Sequence, residues 1–481
     1  MTANDFIALL PILVLTIGAT LLMLQISFYR NTTTSVIVTL LTLVGSILAI
    51  IPATEHVGAV TPLLQVDGYA LLFTALFCLG AIITSILCGD YLQTRADETE
   101  EFYLLLLLAN LGAVVLAHAT HLASLLLGME LLGVSLYALI GYPDRAVLPL
   151  EAAVKYLVLS GAATATILFG FALLYAVTGE LTFTGIGQQL ISSGQANVMQ
   201  VAGSAMIMAG LAFKLSLAPF HMWTPDVYEG APSPVTGYLA AISKTAIFAA
   251  LLRLFLDAQL FRFELLNNGI ATMAVLSMIG GNLLALQQDN IKRMLAYSSI
   301  AHMGYLAIIL VAAGQDLDRP LAIEAALYYL IAYTATTVAA FALLTLLSTN
   351  SEGLEKSRLD DLSGLFWEQP LLAVMMTLAL LSLAGIPLTA GFIAKFYVIS
   401  TAVSGFHWVL LAALVVGSGM GIYYYLRAIY YMTCKNDDRK TPREMARPLP
   451  VRAVSCVLIA GILILGIVPQ PLIEHIRFIF G

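Results

Sequence analysis

Apolar runs of about twenty residues recur along the whole chain, parted by short polar stretches. About twenty consecutive apolar residues cross a bilayer as a helix. On that ruler fourteen segments are expected, near 6–26, 35–53, 68–90, 101–117, 121–141, 151–177, 199–230, 233–256, 267–287, 291–313, 321–348, 369–404, 405–433 and 451–472. The pattern predicts an all-α polytopic membrane protein. Segments seven and twelve are too long for one straight span, and each holds a proline near its middle, Pro219 and Pro387. Proline lacks the backbone donor and clashes with the preceding turn, so helices 7 and 12 are expected to be discontinuous. A break of this kind persists in a bilayer only where protein buries it or where it lines a wet cavity.

Composition removes several alternatives. The 481 residues are 60% hydrophobic and 11% charged, with a mean hydropathy of +0.92, which no soluble domain of this length shows. Cys78, Cys88, Cys434 and Cys456 form no CxxC and no Cys/His cluster, so iron–sulfur, zinc and haem sites are not expected. No P-loop or GxGxxG stands in a strand-to-helix context, so no nucleotide site is expected either. Nothing points to nucleic acid; the bilayer is the implied partner. The first apolar segment has no basic n-region and is long enough to span, so it reads as a retained helix.

Basic residues in the loops set the orientation. One side receives fourteen, from Arg30, Arg95 and Arg145 through Lys292, Arg293, Lys356, Arg358 and Arg427 to the run between Lys435 and Arg452. The other receives four: Arg253, Arg262, Arg319 and Arg477. The rule puts the fourteen in the cytoplasm, and an even helix count then puts both termini on the opposite, periplasmic side.

An internal repeat supports this layout. Glu151-AAVKYL matches Glu324-AALYYL at five of seven positions, and LSLA before Pro219 recurs just before Pro387. The offsets, 173 and 166 residues, both carry segment n to segment n+5. Five is odd, so the second copy is inverted in the membrane. Two inverted five-helix units, helices 4–8 and 9–13, make a transporter architecture. The expected divisions are 1–100, an N-terminal three-helix part; 101–257, the first repeat; 258–434, the second; and 435–481, a cytoplasmic loop with the last helix.

The charges inside the apolar segments carry the chemistry. Glu130 lies about nine residues into segment five, close to mid-depth at about 1.5 Å per residue. Lys214 precedes the Pro219 break, Lys244 is mid-segment eight, and Lys395 follows the Pro387 break. An ionisable residue in hydrocarbon is a functional candidate by default. A structural salt bridge to Glu130 accounts for one lysine and leaves the others without an acid at their depth. Burial without a counter-charge disfavours a charged lysine, which suits it to exchange protons. Lys155, four residues into segment six, has room to reach the cytoplasmic face. His302 stands in segment ten where the repeat places Glu130 in the first unit, so it is either a relay or a core hydrogen-bonding group, and His221 in the break is similar. Asp226 and Glu229 read as solvated or as contacts to a neighbouring subunit. Tyr423, Tyr424 and Tyr425 read as a packing or interfacial cluster.

KLSLAPFHMWTPDVYEGAPSPVT, with GMELL upstream and NIKRMLAYSSIAHMGY downstream, resembles the antiporter-like subunits of respiratory complex I, which are related to Mrp-type cation/proton antiporter subunits. The resemblance covers essentially the whole chain. Within the family it is similar to the N type, through SLAGIPLTAGFIAKFY, the length, and a lysine at 395 where the M type carries glutamate. The resemblance implies a coupled pair at Glu130 and Lys214, a central relay at Lys244 and a terminal one at Lys395. It implies protons moving from the cytoplasm to the outside, driven by quinone reduction elsewhere in the complex. NADH, FMN, iron–sulfur clusters and quinone are then expected on other subunits, with the M-type, K and J subunits as neighbours in a bacterial inner membrane. An Mrp-type sodium/proton antiporter subunit is the alternative, and a purely structural spacer is a third reading that the buried lysines oppose.

Overall fold

A computed structural model of the protein describes residues 2–93, 95–143, 147–192, 197–314, 319–348, 355, 357–435 and 449–480. Among these, thirteen helices are long and apolar enough to cross a membrane, and two shorter apolar helices, Pro370–Ala384 and Ala390–Ser404, together supply one more span. The chain is an all-α polytopic membrane protein. In order the spans are Leu10–Phe28, Thr32–Ala53, Gly68–Gln93, Glu100–His118, Leu122–Ile140, Val147–Thr178, the broken seventh, Ser233–Asp257, Glu264–Leu286, Ile291–Ala313, Arg319–Ser348, the broken twelfth, Trp408–Thr433 and Leu449–Ile467.

Both long segments break where proline interrupts the donor ladder. The seventh runs Val198–Leu215, leaves the helix at Ser216, and resumes as Trp223–Gly230. The twelfth stops at Ala384 and restarts at Ala390. The fourth span packs on the fifth as the ninth packs on the tenth, and the sixth on the seventh as the eleventh on the twelfth. Both breaks thus fall at matching places of two five-helix units. The tenth and eleventh spans are almost entirely enclosed by the others, whereas the first, second and last expose most of their length sideways.

Three features depart from the apolar pattern. The fourteenth span ends at Ile467, before Pro469, and a separate amphipathic helix Gln470–Phe480 follows. The expected segment to residue 472 had merged the two, because Leu472 and Ile473 continue the apolar run. A second amphipathic helix, Phe183–Ser192, joins the sixth and seventh spans. Gly58–Ala59 and Gln65–Val66 pair as a short antiparallel hairpin after the second. The two helices follow a 3.6-residue period over only 10 and 11 residues, too short to register on a twenty-residue ruler.

The charged segment ends sort onto two faces. On one, Arg30 pairs with Glu98 and Glu101, and Arg293 bridges Asp226 and Glu229 at 2.8 Å each. On the other, Arg477 pairs with Glu324 and Arg253 with Asp67. Of the orientation charges, Arg145, Lys356, Arg439, Lys440, Arg443 and Arg447 lie outside the described residues. Arg95 and Lys292 are not solvated loop charges as expected but are buried. Arg95 caps Ser348 O at 2.8 Å at the end of the eleventh span.

The eighth span is pinned at both ends. At one, the Arg253 guanidinium holds Asp67 through two bonds of 2.8 and 2.9 Å and also reaches Ala117 O. At the other, Glu355 accepts from Ser233 N at 2.9 Å, Ser233 Oγ at 2.8 Å, Tyr91 Oη at 2.5 Å and Lys292 Nζ at 2.6 Å. Lys292 Nζ also donates to Ala231 O, so the joint between the broken seventh span and the eighth is clamped from the tenth. Between the two pins, Leu239–Ser243 winds as one π-helical turn directly before Lys244.

Burial alone would push the Glu355 carboxyl up, but the Lys292 ammonium and the Tyr91 and Ser233 donors outweigh it and hold the group below its usual range. The folded state then releases the proton more readily than the unfolded chain. The stabilisation is therefore complete above the ordinary value of 4.5 and is lost as pH falls through the lowered folded value. Glu355→Ala leaves Lys292 buried without its counter-charge and is expected to cost about 3–5 kcal/mol. Thermal unfolding in detergent checks this: the variant should melt well below wild type at pH 7 and lose most of that difference under strong acid.

Candidate functional site

Three of the ionisable residues foreseen inside the membrane lie near the middle of their spans, and two flank the helix breaks. Glu130 is the ninth of nineteen residues in its span, His302 the twelfth of twenty-three, and Lys244 the twelfth of twenty-five. Lys214 is the penultimate residue of the helix before the first break, and Lys395 is the sixth residue of the helix after the second. Lys214, Lys244, Lys395 and His302 are all buried.

The first cluster surrounds Lys214. Its ammonium lies 3.8 Å from Glu130 Oε1 and donates to Ser160 Oγ at 2.6 Å. Ser160 also accepts from Tyr137 Oη at 2.6 Å, and Glu130 accepts from Thr164 Oγ1 at 2.7 Å. The sixth span, one turn of which carries Ser160 and Thr164, thus supplies a hydroxyl to each member of the pair. Ser216, with φ +63°, caps the helix that ends beside Lys214, and its hydroxyl accepts from Thr224 at 2.6 Å. Ala218 N donates to Ser277 Oγ at 2.8 Å, which ties the break to the ninth span. Pro219 needs no such partner, having no donor.

Lys244 anchors the second cluster and has no carboxylate within ion-pair reach among the described residues. Its ammonium donates to Ser299 Oγ at 2.8 Å and sits 5.4 Å from the centre of the Tyr228 ring. Ser299 shares a 2.6 Å hydrogen bond with Tyr333. The Tyr333 ring lies 5.4 Å from that of His302, whose Nδ1 bonds Tyr329 Oη at 2.6 Å. Two cavities flank Tyr333, one lined by Ser298, Ser299 and Thr337, the other by His302, Tyr329, Thr336 and Ser382. Each measures about 10 Å³, the size of a single water.

Lys395 forms the third cluster, donating to Ala384 O at 2.7 Å and Ser418 Oγ at 2.8 Å. The backbone makes room for it. Gly385 caps the first half-helix at φ +83°, and Gly391 approaches so closely that an added Cβ would stand 1.8 Å from Ser382 O. The LSLA tetrapeptides are not equivalent in space: in the first break Ser216 is the left-handed cap, whereas Ser382 is helical and Gly385 takes the cap role. Pro387 lies between the two half-helices.

Lys155 stands apart from these clusters. It pairs with Glu151 at 2.7 Å and Asp226 at 3.0 Å, and 42% of its side chain is exposed. Asp226 and Glu229, read as solvated or subunit contacts, are 39% and 36% exposed and are also bridged within the chain by Arg293. His221 lies in the non-helical stretch between the halves of the seventh span. Tyr424 and Tyr425 are buried, and Tyr423 faces outward. Sequence reasoning missed the hydroxyls of Ser160, Ser299, Tyr137 and Tyr333. The adjacent serines of YSSIAH, one turn before His302, were the one local signal for them.

A sequence profile described as NADH:quinone oxidoreductase/Mrp antiporter, TM, matches residues 119–421. The fold is similar to a chain of respiratory complex I from Thermus thermophilus, solved with bound aureothin, at 33% identity and TM-score 0.81 over 96% of this chain and 98% of that one. It is similar to a chain of the membrane-bound sulfane sulfur reductase, an archaeal respiratory membrane complex, at 24% identity and TM-score 0.83 over 98% and 96%. A chain of the Mrp complex from Dietzia sp. DQ12-45-1b matches at 18% identity and TM-score 0.85 over 100% and 97%.

Gly385 yields a direct test of the third cluster. An alanine there would adopt a positive φ at a cost of about 1–2 kcal/mol and put its Cβ 2.7 Å from Lys395 Cδ. Gly385→Ala is expected to lower the unfolding temperature in detergent. A wild-type unfolding temperature would show that the Lys395 side chain is not held against this cap.

Proposed function

This chain belongs to the NADH:quinone oxidoreductase/Mrp antiporter transmembrane family, and on that premise we propose that it is the proton-translocating N-type subunit of a bacterial NADH:quinone oxidoreductase. Protons pass along its buried axis while electrons move from NADH to quinone on other subunits, which hold the FMN and iron–sulfur clusters. The observation that carries the reading is the set of three buried lysines, Lys214, Lys244 and Lys395, each bonded to a serine hydroxyl, with a carboxylate in ion-pair reach, among the described residues, only at Lys214. A hydroxyl both donates and accepts, so each ammonium has a neighbour able to pass a proton on. Of the three similar structures, the complex I chain shares the most identity, which supports the redox complex over a sodium/proton exchanger.

The roles follow from position. Glu130 favours the proton on Lys214, and loss of that proton would leave the carboxylate unbalanced, which couples the two. Lys244 is the central relay, linked through Ser299 and Tyr333 towards His302. Lys395 is the terminal relay beside the second break. Lys155, ion-paired at the segment end, would gather protons at the cytoplasmic face rather than carry them across.

Glu130 also marks a partner surface. Its side chain is 36% exposed at mid-depth, between Leu127 at 64% and Val134 at 58% on the same helix. A carboxylate facing hydrocarbon is costly, so in the assembly an adjoining membrane subunit, of the M type or one of the small K and J subunits, covers this face.

Lys244 supplies the deciding experiment. Lys244→Ala removes a buried charge that has no acidic partner among the described residues, so the complex should assemble and quinone reduction should lose its coupled proton translocation. Lys244→Arg should fail equally, because a guanidinium does not deprotonate in proteins, whereas a merely structural charge would accept it. An arginine variant that pumps like wild type sinks the relay, and translocation that depends on sodium favours the exchanger instead.

Topology is tested separately. Both termini are proposed to face the periplasm and the loop near Lys435–Arg447 the cytoplasm. A cysteine at Asp438, which lies outside the described residues, should resist impermeant reagent added to intact cells and react after lysis.

A further inference from the structure

Asn282 is buried in the ninth span. Its amide is fully engaged. Nδ2 donates to Met278 O at 2.6 Å and to Tyr305 Oη at 3.1 Å, and Oδ1 accepts from Tyr424 Oη at 3.0 Å. The thirteenth span opens to admit it: a Cβ on Gly417 would lie 3.0 Å from Asn282 Nδ2 and 3.4 Å from Tyr305 Oη, and one on Gly421 would lie 3.4 Å from Asn282 Oδ1. The space is shaped for an amide flanked by two phenols.

Tyr305 is the group that this arrangement holds still. Its ring centre lies 5.3 Å from the Lys395 ammonium, within the range of a cation–π contact. The same ring meets His302 edge-on at 5.5 Å between centroids. Tyr305 therefore touches both the histidine at the end of the central cluster and the terminal lysine. Its hydroxyl is tied to Asn282 on the far side of the ring.

We propose that Asn282 is a positioning residue for proton transfer at Lys395, acting through the ring of Tyr305. The proposal rests on Lys395 being the terminal relay. An amide donates and accepts hydrogen bonds but offers no proton to exchange, so Asn282 anchors the two tyrosines without joining the relay. By fixing the Tyr305 hydroxyl it keeps the π face of the ring on the ammonium, which favours the protonated lysine each time a proton arrives. Released from Asn282, the ring turns in its slot and that support is lost.

The test is a cycle of variants in the assembled membrane complex, reading proton translocation in proteoliposomes at matched assembly level. Asn282→Leu and Tyr305→Phe should each slow translocation by about 2- to 30-fold, the range of one cation–π contact. Their double variant should be no slower than either alone, since both cut the same bond. Tyr305→Leu, which removes the ring, should be slower than Tyr305→Phe. Multiplying losses in the double variant, or a wild-type rate for Tyr305→Phe, overturns the proposal; the phenylalanine variant keeps the fold even if Asn282→Leu does not. Lys395→Ala separates the two levels. If it still translocates at the wild-type rate, the relay reading falls and this proposal with it. If it is inactive while Tyr305→Phe is normal, only the role of Asn282 is lost.

Discussion

Hydrocarbon offers nothing to a free ammonium or to the open end of a broken helix. In the twelfth span one bond answers both demands: Lys395 donates to Ala384 O, the last residue of the first half-helix. The positive charge sits where the helix carbonyls concentrate partial negative charge. The break makes the lysine tolerable, and the lysine makes the break tolerable. Much of the neighbourhood serves that bond. Gly385 turns the chain away without a side chain in the path, Gly391 brings the second half-helix against the first, and Ser418 supplies a further acceptor.

The seventh span reaches the same end by different means. There the lysine precedes the break, and its counterweight is a carboxylate on another helix with a serine between neighbours. The free groups of that break are met by Ser277, Thr224 and the Phe213 carbonyl, which accepts from Trp223. Two units of like topology thus hold unlike chemistry: an acid–base pair in one, a lysine against a helix end in the other. Lys244 lies between them, on the eighth span, with hydroxyl and aromatic partners among the described residues.

The helices, their breaks and the four central charges were legible because each is an exception in a uniform background. A lysine in an apolar run or a proline in an overlong segment stands out in any reading of letters. The partners do not. Ser160, Ser299 and Tyr333 are ordinary residues of a membrane helix, and only the packing of the sixth, tenth and eleventh spans gives them their roles. Asp226 and Glu229 looked solvated because they neighbour a loop; their cation, Arg293, is remote in sequence and had been counted as a loop charge. Glu355 had no visible signal, since an acid in a polar loop is the commonest of patterns. The repeated LSLA misled in detail, because identical letters take the cap in one break and the last helical turn in the other.

The eighth span behaves as a beam fixed at both supports. Arg253 and Asp67 hold one end, and Ser233 with Glu355 and Lys292 holds the other. The ion pairs and hydrogen bonds at the two ends oppose tilting or sliding of this span. What remains free to change lies around the midpoint: hydroxyl rotors, the ammonium on its flexible stem, and the unusual turn that precedes it. Under the proposed relay role, exchange at Lys244 would rest on local torsions rather than on the microsecond-to-millisecond displacements of whole helices, and large motions elsewhere in an assembly would reach it as changes in field and hydration.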